Sequence, residues 1–446
     1  MALASNRANM VFTELFLLSK IRNTEENNMS AAAAANPSAT GSVRKALGDI
    51  YRPAGPKLVQ SGLVWASGGS ANVAQAIDLS LPIRGLRLNF KGRLVIGTAA
   101  FTSVNPEGFL NLISNIVIQG TNARQKGNVT LWSCDMATAW VMSHLYAFSA
   151  QRFTISTTGA GADATVPLPG TPFPAPGTAV PNQASGYING ATGTYDFIIT
   201  LDLPFHPNSM NALGKSPNSV VGFLVRNEEW KDSLQLQMTY GTQAGAGATG
   251  ALGVSAGTTT VTFTAYNSGT GSPTIDVYSL PILMGLDLKD QVLPGVYSRI
   301  TQPVTSILQS AGGLNSTILN MQKQPTARII VKTGTSTVSP AFATLSDLVL
   351  TTLGISLGGN RNVRNNLDTT THKQQTADVH SRTPIQGYTL LDFMDSGNAD
   401  AAFPGQDIGD GATFQLVGTP PGVANALALV VQEQMIHVPT GGLLNY

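Results

Sequence analysis

Few residues in this chain have types and spacing that could do chemistry. Gly245, Gly247 and Gly250 in GAGATG match G-x-G-x-x-G, the pattern that lets a backbone approach a pyrophosphate at the start of a helix. The following ALGVSAGTTTVTF reads as loop and then strand, so no helix N-terminus would face the phosphate. His372, Asp378 and His380 offer two imidazoles and a carboxylate, but not at the helical or hairpin spacing that converges ligands on a metal; they read as solvated groups of a polar loop. Glu228 and Glu229 beside Trp230 suggest a carboxylate pair for glycoside hydrolysis, yet adjacent strand residues face opposite ways, and a turn is the better reading. His144, His206 and His437 are scattered, and no Ser-His-Asp set stands out. The expectation is a chain with no catalytic, cofactor-binding or metal-binding residues, and not an enzyme.

Composition points the same way. Cys134 is the single cysteine among 446 residues, so neither an intrachain disulfide nor an all-thiolate metal cage can form. As a nucleophile it would need a histidine partner; it reads as buried and inert. The sequons Asn128-Val129-Thr130 and Asn315-Ser316-Thr317 carry little meaning without a secretory signal. Charged residues are 11% of the chain, less than half the usual share, and the net charge is +1. That balance supplies no field for nucleic acid, so direct sequence-specific binding is not expected. Weak self-repulsion suits a surface that meets copies of itself.

The elements that would position any site are strands. In LRLNFKGRLVI, residues Leu86, Leu88, Phe90, Leu94 and Ile96 share one face, and Arg87, Asn89, Lys91 and Arg93 the other. Gly92 falls on the inner face, where a strand bends or another backbone comes close. Tyr195, Phe197, Ile199, Leu201, Leu203 and Phe205 alternate likewise, as do Leu234, Leu236, Met238 and Tyr240. Such strands predict antiparallel sheets with one dry and one wet face. WSCDMATAWVMSHLYAF breaks the rule: Trp132, Met136 and Trp140 recur at i, i+4, i+8 and predict a helix over 132–148. The Gly/Pro-rich Ser156 to Thr194 and the Gly/Ala-rich Ala244 to Gly257 read as inserted loops.

One phrase occurs twice. PEGFLNLISNIVIQGTNARQKGN (106–128) is echoed by TLSDLVLTTLGISLGGNRNVRNN (344–366), each a β-rich run followed by Gly, Asn and an Arg-bearing turn. Around both copies the order of features repeats. A strand with Lys91-Gly92 or Lys332-Thr333-Gly334 comes before the phrase. After it come a strand led by Tyr195 or Tyr388, one closing in Gly-Thr (241–242; 418–419), and a strongly β-forming close. This predicts a duplicated sandwich: an arm and linker over 1–55, a first body over 56–285 and a second over 286–446. In the arm, Val11, Leu15 and Leu18 take i, i+4, i+7 spacing with Phe12 and Phe16 alongside, which predicts an amphipathic helix too short to span a bilayer. Packed under its own domain or laid against a membrane or neighbour, that helix would look the same in sequence.

LPIRGLRLNFKGRLVIG (81–97), then PEGFLNLISNIVIQG (106–120), and LDLPF (201–205) resemble the double jelly-roll major capsid proteins of tailless icosahedral viruses, the lineage of tectiviruses, corticoviruses and adenovirus hexon. The resemblance implies an all-β chain of two tandem eight-stranded jelly-roll sandwiches, with an amphipathic N-terminal arm and a few short helices. It implies a homotrimer acting as a pseudo-hexagonal capsomer in the shell of a bacteriophage with an internal membrane. The partners would be neighbouring capsomers, penton or vertex proteins and minor capsid proteins; the place would be the virion, after assembly in the host cytoplasm. The arm residues Val11, Phe12, Leu15, Phe16, Leu18, Lys20 and Arg22 would touch the membrane or a neighbour. No cofactor and no activity are implied. A β-sandwich receptor-binding spike or surface adhesin is the alternative from another class.

Overall fold

The computed structural model describes residues 51–53, 55–73, 77, 83–105, 107–122, 127–145, 152–158, 192–205, 234–243, 249–255, 257–284, 296–308, 314–318, 326–335, 344–357, 361–380, 384–392, 412–418 and 426–437. Contacts gather Ala54–Ile282 and Val292–Tyr446 into one compact unit; Met1–Pro53 with Leu283–Gln291 forms another, in which the strand Tyr51–Pro53 is described.

Eight strands frame the first half of the larger unit: β1 (Lys57–Val64), β2 (Ser70–Asn72), β3 (Ile83–Gly97), β4 (Ile113–Asn122), β5 (Gly127–Cys134), β6 (Gly193–Pro204), β7 (Gln235–Tyr240) and β8 (Thr274–Met284). They pair antiparallel in the orders β1-β8-β3-β6 and β2-β7-β4-β5. Period-two patterning explains the core between these sheets. Leu86, Leu88, Phe90, Leu94 and Ile96 from β3 are buried, as are Phe197, Ile199, Leu201 and Leu203 from β6 and Leu236 and Met238 from β7. Phe90 meets Phe197 edge-on with centroids 5.1 Å apart, and Phe109 lies 4.6 Å from the same ring. A Cβ on Gly92 would come within 2.6 Å of Pro273 and 2.9 Å of Phe197, so side chains rather than backbone explain the glycine.

The second half repeats this strand for strand. It has β9 (Val296–Leu308), β10 (Leu314–Ile318), β11 (Thr326–Thr335), β12 (Leu350–Leu357), β13 (Arg361–Asp368), β14 (Tyr388–Asp392), β15 (Ala412–Gly418) and β16 (Ala426–His437). Their antiparallel orders are β9-β16-β11-β14 and β10-β15-β12-β13. The twice-used phrase is thus the hairpin β4-β5 in one half and β12-β13 in the other, each entered through a short 3-10 turn, Gly108–Leu112 or Asp347–Val349. The halves are also sewn together: β9 runs parallel to β5, with Ile300 opposite Trp132 and Thr301 opposite Ser133. One sheet therefore passes from β2 through β5 and β9 to β14.

Each hairpin leads into a helix, α1 (Met136–Leu145) or α2 (Thr369–His380). The helix predicted from Trp132 begins instead at Met136. Trp132 belongs to β5, opposite Ile118 and Ile300, and Asp135 ends the strand by capping: its Oδ1 accepts the Thr138 N–H at 2.7 Å and its Oδ2 the Thr138 hydroxyl at 2.8 Å. Asp368 caps α2 in the same way, through Thr371 at 2.7 and 2.6 Å. The expected polar loop at His372 is therefore a helix. His372 is buried, and its Nε2 lies 2.8 Å from the Leu353 carbonyl, so it is a structural group rather than a solvated one. The stretch read as a loop over Ala244 to Gly257 contributes two short strands, Thr249–Gly250 and Gly253–Ser255, which form a small sheet with Phe101–Val104.

Candidate functional site

The face of β3 that alternation leaves outside the core is not simply wet. Arg87 lies directly opposite Asp202 on β6 and makes two bonds to it, at 2.6 and 2.9 Å; Arg93 lies opposite Asp196 and makes two more, both at 2.8 Å. Lys91 reaches Asp276 on β8 at 2.9 Å. Asp196, Asp202 and Asp276 are all buried, so the apparent solvent face is a layer of cross-strand ion pairs. Hydrogen bonding to Asp202 raises the Arg87 pKa further above its ordinary value. Burial pushes the Asp196 carboxyl up, but the Arg93 bonds and the Asn267 N–H outweigh it and leave the pKa below the usual carboxylate range.

In the second half the equivalent strand, β11, is buried from Arg328 to Gly334, and the basic residues within that run are enclosed. Arg328 lies opposite Glu433 on β16 at 3.2 Å, with both side chains at or below 3% exposure. Lys332 leaves its own half altogether. Its Nζ lies 2.6 and 2.7 Å from the two carboxylate oxygens of Glu107, which leads the 3-10 turn of the first half, and 3.8 Å from Asp135 Oδ1 at the head of α1. The Tyr388 hydroxyl, from β14, donates to Glu107 Oε1. Lys332 and Glu107 are 1% and 0% exposed, which makes this the most enclosed ionic cluster among the described residues. Burial pushes the Glu107 carboxyl up despite the pull of Lys332, and the nearby Asp135 charge adds to the push. Burial, with the charges of Glu107 and Asp135 behind it, holds the Tyr388 phenol well above its ordinary value. Each half contributes two of the four groups, so the cluster fastens one sandwich to the other.

No group of three His, Cys, Asp or Glu residues among those described is arranged to hold a metal. A shallow cleft of about 390 Å³ beside Trp65, Phe263 and Pro273 is lined by no acid, base or histidine. Cys134 is fully buried, and burial holds its thiol well above the ordinary value. Val11, Phe12, Leu15, Phe16, Leu18, Lys20 and Arg22 of the arm lie outside the described residues, as do Glu228, Glu229, Trp230, Gly245 and Gly247; Gly250 sits in a two-residue strand with no helix after it. Sequence reading missed the Glu107–Lys332–Asp135–Tyr388 cluster, although Lys332 and Tyr388 both stood within the repeated features. Nothing in a linear pattern says that a lysine of one half will meet a glutamate of the other.

No sequence-family profile matches the chain, and no curated protein does. Solved structures match in fold. The Faustovirus major capsid protein aligns with a TM-score of 0.52 at 9% identity, over 87% of this chain and 90% of that one. A chain from the atomic structure of Sulfolobus Turreted Icosahedral Virus aligns at 0.50 and 12%, over 85% and 90%. PBCV-1 VP54, fitted into a reconstruction of the virophage Sputnik, aligns at 0.50 and 9%, over 86% and 94%. The fold is all-β, and it is the double jelly roll of viral major capsid proteins.

Proposed function

We propose that this chain is the major capsid protein of an icosahedral virus and that three copies close into a pseudo-hexagonal capsomer. The observation that carries the reading is the joint between β5 and β9. By the strand-for-strand repeat, β9 is the counterpart of β1, and β5 is the counterpart of β13. Within the chain, the last hairpin strand of the first sandwich takes the first strand of the second along its edge. The same two edges recur once more: β1 on the first sandwich and β13 on the second have no further strand beside them among the described residues. If β13 of one copy takes β1 of the next, the contact is heterologous and propagates in one rotational sense, which closes a ring when the rotation permits. Three chains then give six similar blocks. Leu58 and Val64, 51% and 58% exposed on β1, would be covered there.

The boundaries near residues 55 and 285, the virion location after cytoplasmic assembly, and contacts with neighbouring capsomers, vertex proteins and minor capsid proteins belong to this reading. So do a bacterial host and an internal membrane, with the arm stripe from Val11 to Leu18 and the basic Lys20 and Arg22 against the lipid; these rest on sequence resemblance alone. Nothing in the comparisons favours a spike or an adhesin. Electron microscopy of the expressed protein tests the proposal: hexagonal capsomers support it, and isolated compact particles the size of one chain oppose it. Deleting residues 1–28 tests the arm; particles that still enclose lipid would leave it without that task.

A further inference from the structure

We propose that Lys332 and Glu107 condense into an amide, so that the two sandwiches are tied by an intramolecular covalent bond. The groups that the reaction needs stand side by side. Lys332 Nζ stands 2.6 and 2.7 Å from the oxygens of Glu107, with a second carboxylate, Asp135, 3.8 Å away on the same nitrogen. Groups held in such proximity react as though at very high concentration, provided their protonation states suit. The reaction needs a neutral amine beside a neutral carboxylic acid, the pair that transfer of one proton from Nζ to Glu107 would give, and burial favours the neutral form of Glu107. The raised pKa of Glu107 is in the required direction.

The step balances without any outside reagent. The lone pair of the neutral Nζ attacks the Glu107 carboxyl carbon, a C–N bond forms, and the C=O π pair moves onto the oxygen that Tyr388 already bonds. Asp135 accepts one proton from the nitrogen and passes it to the Glu107 hydroxyl, which leaves as water while the C=O reforms. The amide keeps one N–H, and Asp135 returns to carboxylate. Nothing is oxidised or reduced. Tyr388 serves as the oxyanion donor, the kind of preorganised group that stabilises charge only as it develops. Asp135 is less suited to be the electrophile, because Nζ stands 3.8 Å from its nearer oxygen against 2.6 and 2.7 Å for Glu107.

Contrast sharpens the assignment. Arg87–Asp202, Arg93–Asp196, Lys91–Asp276 and Arg328–Glu433 each lie within one sandwich, and Arg does not condense. Lys91, the lysine among them, is 38% exposed, so water competes for its carboxylate. The Lys332 site combines enclosure, a second acid and a phenol, and it replaces a costly buried ion pair with a neutral amide.

Denaturing mass spectrometry of the full chain reads the outcome. The expected mass is one water below that of the sequence, with a branched peptide joining the segments that hold Lys332 and Glu107. Lys332→Arg keeps a cation in place but cannot condense, and Asp135→Asn keeps the cap while removing the base. Both should fold, as judged by circular dichroism, and carry the full mass. A folded wild-type chain that retains the full mass after days of incubation would overturn the proposal, as would water loss mapped to Asp135. Because mass and oligomeric state are read separately, failure here leaves the shell reading standing, and the converse also holds.

Discussion

Arg328 and Glu433 show what a single enclosed charge is worth in this chain. They face each other across β11 and β16, almost without solvent. Arg328→Met takes from Glu433 the cation that faces it across the sheet, so it should lower unfolding free energy by about 3–5 kcal/mol in chemical denaturation. Replacing both by Met should recover most of that loss, since a buried pair often does no better than well-packed apolar residues. A single variant as stable as wild type would contradict the pairing. Asp196 gives a pH prediction. Its folded pKa is depressed, so the native state holds its proton less tightly than the unfolded chain does. The stabilisation is complete above the unfolded value and is lost as pH falls through the folded one. Asp196→Asn should therefore flatten the fall of melting temperature between roughly pH 5 and pH 2. An acid limb as steep as that of wild type would argue against it.

Among the elements, both hairpins end in an Asp-x-x-Thr cap, and each cap can be tested alone. Asp368→Ala should lower the melting temperature, because two groups of Thr371 lose their acceptor at the head of α2. At Gly92 even one methyl would press on Pro273 and Phe197, so Gly92→Ala should destabilise by about 1–3 kcal/mol, measured by thermal or denaturant unfolding. The strands were legible in sequence because alternation is imposed by burial on one face: every inward residue read from β3 is buried. The helices were harder. Trp132 fits the helical spacing of Met136 and Trp140, but Asp135 decides where the helix starts, and a cap is a single side chain rather than a period. TTTHKQQTADVH has no apolar stripe strong enough to reveal α2, although Asp368-x-x-Thr371 repeats Asp135-x-x-Thr138 and was the available signal. The ionic layer on β3 was half visible: its bases were read, and its acids lay on strands whose register sequence alone did not fix.

For the whole molecule, repetition is the organising fact. Two sandwiches with the same pairing orders share one continuous sheet, and the edges joined at β5 and β9 recur unpaired at β13 and β1 among the described residues. A pattern of strands can announce a duplication, but which edges remain open emerges only when the strands are placed. Charge contributes little to such contacts at a net +1, so shape and backbone hydrogen bonds should give them specificity. Leu58→Lys with Val64→Lys would place two ammonium groups on the β1 edge, and should weaken association while leaving each chain folded. Sedimentation velocity of the full chain at micromolar concentration tests the central claim most directly. The account predicts a species of three chain masses that the double lysine variant shifts toward one; a monodisperse monomer for the wild-type chain would contradict it.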